Sequence, residues 1–197
     1  MPSGAAHSIG AMATPREILT AELREHALVI GEVTLTSGAT ARYYVDAKRA
    51  ILRPAGFAAL AELIAAYARQ WEATAVGGMT MGADAPACAA LAGGADVKAF
   101  FVRKDVKQHG LQRRVEGPPL EQGERCLIVE DVVTTGGSTV KAIEAVRAEG
   151  FDVCGVVSVL DRLAGGAEAI RLASGDAPYE PLATIDDVYP DRPDRSG

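Results

Sequence analysis

The stretch Leu127-Ile128-Val129-Glu130-Asp131-Val132-Val133-Thr134-Thr135-Gly136-Gly137-Ser138-Thr139 leaves this chain few folds to choose from. It reads as a buried strand that ends in two carboxylates and runs through a Gly/Thr-rich turn into a helix. Gly136 and Gly137 permit a tight turn with no Cβ in the way, so successive N–H groups converge on one anion. The helix that follows adds its unpaired N-terminal amides and positive dipole end, while Thr135, Ser138 and Thr139 offer hydroxyls. Two acids beside such a cradle would repel a phosphate unless they face something else, and ribose hydroxyls or a bound magnesium are the natural partners. A phosphorylated ribose satisfies both halves, with its 5′-phosphate on the backbone of Thr134 to Ser138 and its hydroxyls on Glu130 and Asp131. The segment has no lysine in a G-x-x-x-x-G-K-[ST] arrangement and no G-x-G-x-x-G after a strand, which excludes the P-loop and the Rossmann loop.

The rest of the chain supplies the frame that such a unit requires. Thr14-Pro15 opens a helix from Pro15 to Ala27, with Ile18, Leu19 and Leu23 near helical spacing. Val29 to Thr36 and Arg42 to Asp46 flank Ser37-Gly38-Ala39 and read as two short strands and a turn, a small flap beside the main body. A helix carrying Phe57, Leu60, Ile64 and Tyr67 starts at Pro54 and ends near Trp71. Strands at Ala73 to Gly78, Val97 to Val102, Cys126 to Glu130 and Val153 to Leu160 then alternate with helices at Ala85 to Leu91, Ser138 to Glu149 and Ala164 to Leu172. A last extended stretch lies near Leu182 to Ile185. This alternation predicts a parallel α/β sheet with ligands beyond the carboxyl ends of its strands. The 197 residues fit one domain, with flexible ends over residues 1–13 and 188–197.

Composition excludes several classes. With 48% hydrophobic and 23% charged residues the chain is expected to be a soluble globular protein. A net charge of -6 argues against non-specific attraction to nucleic acid or an anionic membrane. No apolar run approaches the ~20 residues of a membrane span, and Met1 to Met12 lacks a secretory pattern, so the expected location is cytoplasmic. Cys88, Cys126 and Cys154 are too few and too irregularly spaced for a disulfide framework or a zinc site, and read as buried reduced thiols.

A second segment, Phe100-Phe101-Val102-Arg103-Lys104-Asp105-Val106-Lys107-Gln108-His109-Gly110, places Arg103, Lys104, Lys107 and His109 on a strand exit and the loop after it. With Arg113, Arg114 and Gly117-Pro118-Pro119 downstream, it reads as a mobile lid able to close over a diphosphate.

The thirteen-residue string resembles the phosphoribosyl diphosphate (PRPP) motif of the type I phosphoribosyltransferases. The Arg-Lys-x-x-Lys-x-His-Gly pattern a short distance before it resembles the orotate phosphoribosyltransferase family in particular. Thr36-Ser37-Gly38 with Tyr43-Tyr44 looks like that family's flap, or hood, and Asp161-Arg162 like its contact to the orotate carboxylate. The resemblance spans about Ile18 to Ile185 and implies an α/β phosphoribosyltransferase fold with a parallel sheet. It implies transfer of ribose 5-phosphate from PRPP to orotate, giving orotidine 5′-monophosphate and diphosphate on the route to UMP. It further implies PRPP contacts at Arg103, Lys104, Lys107, His109, Glu130, Asp131, Val132, Val133, Thr134, Thr135, Gly136, Gly137 and Ser138. Orotate contacts are implied at Thr134, Arg162, Tyr43 and Tyr44, and catalytic roles at Lys107, His109 and Asp131. Magnesium is expected as cofactor, held mainly through substrate and water rather than by a set of protein ligands. The implied partner is a second copy of the chain, in a homodimer whose lid is shared across the interface. In two places the pattern departs: Thr36 and the Gly78-Met79-Thr80-Met81-Gly82 stretch stand where many members carry lysines. A purine transferase or a PRPP-sensing regulator would share the sugar site. Arg162 and the tyrosine pair disfavour the first, and the lack of a basic nucleic-acid-binding region outside the lid disfavours the second.

Overall fold

The computed structural model describes residues 12–34, 40–104 and 114–195. Thr14 caps α1 (Pro15–Glu22) with a reciprocal box, its hydroxyl accepting from the Glu17 amide while the Glu17 carboxylate accepts from the Thr14 amide at 2.7 Å. The helical path continues to Ala27, as its apolar spacing predicts, although Leu23–Ala27 is wound as a π turn. Strands β1 (Leu28–Thr34) and β2 (Thr40–Val45) pair antiparallel as a separate two-stranded sheet. A short helix, α2 (Lys48–Ile51), precedes α3 (Pro54–Gln70) and has no sequence signal of its own.

The main sheet is built from β3 (Ala75–Met79), β4 (Lys98–Val102), β5 (Val115–Glu116), β6 (Arg125–Val133), β7 (Asp152–Asp161) and β8 (Tyr179–Thr184). Its order is β5-β4-β3-β6-β7-β8, and only the β4–β5 pair is antiparallel. Helices α4 (Asp84–Ala92), α5 (Gly137–Ala148) and α6 (Gly166–Ser174) cross between strands. Strand alternation splits the interior in two. Leu127 and Val129 of β6 pack in the core that holds α1, α3 and α4, whereas Cys126 and Ile128 pack under α5 and α6. From β3 the chain runs outward to β4, and later returns to place β6 on the other side of β3. The order therefore reverses between β3 and β6, the position at which such sheets open a ligand crevice.

Four expectations change. β6 does not end at the acids; it runs through Glu130 and Asp131 to Val133, because β7 is long enough to pair with it as far as Asp161. The final strand stops at Thr184, where a second capping box starts α7 (Ile185–Val188). Cys126 is buried and Cys154 half-buried, but Cys88 is exposed, since Ala87, Ala89 and Ala90 take the inward face of α4. The segment after α7, read as a loose end, makes defined contacts. Arg192 bonds Asp186 and Asp194, and Tyr189 meets Tyr43 edge to face with ring centroids 5.4 Å apart. Among the described residues no helix is long and apolar enough to cross a membrane.

Candidate active site

At the β3–β6 reversal lies a cleft of about 330 Å³, lined by Met79 to Gly82 after β3, by Glu130, Asp131, Val132, Thr134 and Ser138 of β6 and its loop, and by Tyr44, Val45, Lys48, Lys104 and Arg162. A smaller recess of about 120 Å³ adjoins it, formed by Glu130 and residues 132–139. The recess lies where the anion cradle is expected. Gly136 sits at φ 78°, a left-handed conformation that glycine adopts without cost, immediately before the first turn of α5. Its carbonyl accepts from the Val140 amide at 2.9 Å, and the Thr134 carbonyl accepts from Gly166 at 3.1 Å, so the loop is tied to both helices it touches. The free N-terminal amides of α5 then face the recess.

Alternation along β6 gives the two acids different neighbours. Glu130 points toward α5 and accepts from the Thr139 hydroxyl at 3.3 Å, while Asp131 points toward α2 and accepts from the Lys48 ammonium at 2.9 Å. Both remain within reach of the same spot, because a Cβ at Gly82 would lie 2.5 Å from Asp131 Oδ1 and 2.6 Å from Glu130 Oε1. Burial, reinforced by the Asp131 charge beside it, pushes the Glu130 pKa up to about 8. Burial works against the Lys48 charge, but bonds to Asp131 and Asp46 outweigh it and hold the ammonium above the usual lysine range. Among the described residues no three His, Cys, Asp or Glu side chains gather as a cage for a metal ion. The Asp131 carboxylate, joined by Glu130 once a cation displaces its proton, suits a hard cation that arrives on a phosphorylated substrate and keeps much of its water.

Arg162 reaches the cleft from the end of β7. Its guanidinium stacks over the Tyr43 ring at 5.0 Å, and its Nε is buried with no hydrogen-bond partner among the described residues. Tyr43 donates its hydroxyl to Asp194 at 2.9 Å. Asp161 does not face the cleft; it accepts from the Leu163 amide at 2.7 Å and the Tyr179 hydroxyl at 2.9 Å, which fixes the turn that presents Arg162.

The tyrosine pair divides. Tyr44 lines the cleft, but Tyr43 is 3% exposed and lies behind Arg162, because consecutive strand residues face opposite ways. Of the two described lid cations, Lys104 lines the cleft, whereas Arg103 turns aside to Glu116 at 3.5 Å. Lys107 and His109 lie outside the described residues, as do Thr36, Ser37 and Gly38. The ends of the 105–113 segment are held together where the Arg103 amide donates to the Arg114 carbonyl at 2.9 Å and the Arg114 amide to Glu149 at 2.9 Å. Val45 and Lys48 are lining residues that sequence reasoning passed over, and Gly82 stood out only as part of the 78–82 stretch. A single Lys in a Lys-Arg pair before a four-residue helix carries no signal, and Gly82 gains its meaning only from the approach of β6.

A model of the phosphoribosyl transferase domain matches residues 48–173. An orotate phosphoribosyltransferase of Corynebacterium glutamicum is 44% identical over 177 residues, 89% of this chain and 95% of that protein. The chain belongs to the orotate phosphoribosyltransferase family. Among solved members, a Mycobacterium tuberculosis orotate phosphoribosyltransferase in complex with Fe(III) dicitrate superposes with a TM-score of 0.79 at 40% identity, covering 89% of this chain and 99% of that one. The M. tuberculosis structure in complex with PRPP gives 0.74 at 35% identity, with 88% and 98% covered. In this orotate phosphoribosyltransferase family member, the β3–β6 cleft brings Glu130, Asp131, Val132, Thr134 and Ser138 into one cavity with Arg162.

Proposed function

We infer that the chain transfers ribose 5-phosphate from PRPP to orotate, releasing diphosphate and forming orotidine 5′-monophosphate for UMP synthesis. The observation that carries this is the joint presence, in one cleft and the recess adjoining it, of an anion cradle, an acid pair and a guanidinium, with Arg162 lining the cleft and not the recess. A planar guanidinium meets a carboxylate with two parallel hydrogen bonds, a contact that orotate offers and a purine base does not.

Breaking the bond between the ribose carbon and diphosphate builds positive charge on the ring and negative charge on the leaving group, so the protein's task is placement and electrostatics. The loop Thr134 to Ser138 holds the 5′-phosphate, with Val132 and Val133 setting its approach. Glu130 and Asp131 take the ribose hydroxyls, and Asp131 thereby orients the reacting carbon. Lys104, Lys107 and, on leaving Glu116, Arg103 neutralise the diphosphate, and Lys107 or His109 donates a proton to it. Thr134, Tyr44 and Arg162 hold the base. Magnesium, held by substrate, water and the acid pair, would supply additional positive charge at the diphosphate. The two-stranded sheet acts as flap, and the 105–113 segment as a lid that excludes water and serves the neighbouring subunit of a homodimer in the cytoplasm.

The test is the ultraviolet absorbance of orotate mixed with protein, PRPP and magnesium, each omitted in turn. Loss of absorbance that needs every component supports the reaction. No change, with PRPP binding intact, removes orotate as substrate.

A further inference from the structure

We propose that Lys48 is a substrate-binding cation of this cleft, releasing Asp131 to the sugar and taking up the diphosphate-bearing side of PRPP. This rests on the reading of the cleft as a PRPP site. The Lys48 ammonium lies 2.9 Å from Asp131 Oδ2 and 3.1 Å from Asp46 Oδ1, and its side chain is 37% exposed in the cavity. It is thus bound at both ends of a short bridge yet open to solvent where the ligand enters. Asp46 also accepts from the Lys48 amide at 3.2 Å, so the tether on that side belongs to the turn itself and persists when Asp131 is taken.

Charge makes the exchange necessary. PRPP carries three phosphate groups, and the acid pair that must accept its hydroxyls stands beside them. Among the described lining residues the cations are Lys48, Lys104 and Arg162. Arg162 stacks on the Tyr43 ring at the base side, and Lys104 is the last described residue before the 105–113 segment. Lys48 alone of the three touches the acid pair. Met81 also lines the cleft, 74% exposed, and brings no charge. When Asp131 takes a ribose hydroxyl, the freed ammonium keeps one carboxylate partner and gains phosphate oxygens as others, so no charge is left unpaired.

The experiment uses Lys48→Met, which keeps the apolar stem, Lys48→Gln, which keeps a hydrogen bond to Asp131 without the charge, and Lys48→Arg. Steady-state kinetics are paired with calorimetric titration of PRPP and magnesium into each protein without orotate. We expect Lys48→Met and Lys48→Gln to raise the PRPP KM and Kd about 10- to 100-fold with the orotate KM within about twofold, and Lys48→Arg to recover most of the loss. A folded Lys48→Gln protein with wild-type PRPP affinity, or one that weakens both substrates equally, overturns the proposal and leaves Lys48 a purely structural partner of Asp131. Wild-type protein that binds no PRPP removes the underlying reading as well. Wild-type protein that binds PRPP but does not consume orotate leaves the Lys48 comparison decided by calorimetry alone.

Discussion

One methyl group at position 82 tests whether the acid pair must stand where it does. In Gly82→Ala the new Cβ meets Asp131 Oδ1 at 2.5 Å and Glu130 Oε1 at 2.6 Å, whereas ordinary contact begins at 3.4 Å. Each carboxylate must withdraw by roughly 1 Å, and both can do so by turning their side chains, so the backbone is spared. Misplacing a positioning group by about 1 Å costs about 10²-fold in rate, equivalent to ~2.7 kcal/mol of transition-state stabilisation. We therefore expect kcat/KM for PRPP, followed by orotate absorbance, to fall about 10²-fold while the melting temperature stays within ~2 °C of wild type. Gly78→Ala is the control. Its Cβ would fall 2.1 Å from the Val129 carbonyl oxygen, a backbone atom inside the sheet that cannot turn away. That variant should lose ~2 kcal/mol of stability and melt about 4–8 °C lower. Wild-type kcat/KM in Gly82→Ala would refute the claim that the acids' placement matters to the reaction.

Further expectations concern the base side and the buried acid. Arg162→Lys exchanges a planar fork for a point charge and should raise the orotate KM about 10- to 100-fold with little change for PRPP, a split that initial-rate kinetics resolves. Tyr43→Phe keeps the ring beneath Arg162 but loses the bond to Asp194; the orotate KM should rise about 2- to 10-fold, with Asp194→Asn giving a change of the same sign. Glu130 keeps its proton in the folded chain up to about pH 8, whereas in the unfolded chain it loses it near the ordinary value of 4.5. The folded state thus binds more protons across that window, and its stability declines as pH rises through it. Glu130→Gln should flatten that decline; melting curves between about pH 5 and about pH 8 that keep the same slope in both proteins would contradict it.

What could be read from the sequence followed the range of its signals. The β6 motif and its loop were legible because strand, acids, glycines and helix start lie within thirteen consecutive residues whose requirements agree. The order of the main strands and helices was legible for the same local reason. The point where β6 stops was not, since it depends on how far β7 reaches alongside it. The separate roles of Tyr43 and Tyr44 follow from alternation only after β2 is placed against its neighbours. Lys48 had no local signature at all, and its meaning comes from Asp131, 83 positions away. Likewise Arg192 and Asp194 look like charged tail residues until α7 turns the chain back toward β2.

The bond between Tyr43 and Asp194 joins residues 151 positions apart. Contacts that close so long a loop form late, because the entropy of bringing the ends together must be overcome first. The phosphate cradle, by contrast, is assembled from immediate neighbours in the chain. The two sides of the site therefore differ in how much chain must be organised to make them: the cradle closes within residues 132–139, while the wall behind Arg162 needs order from β2 to the last described residues.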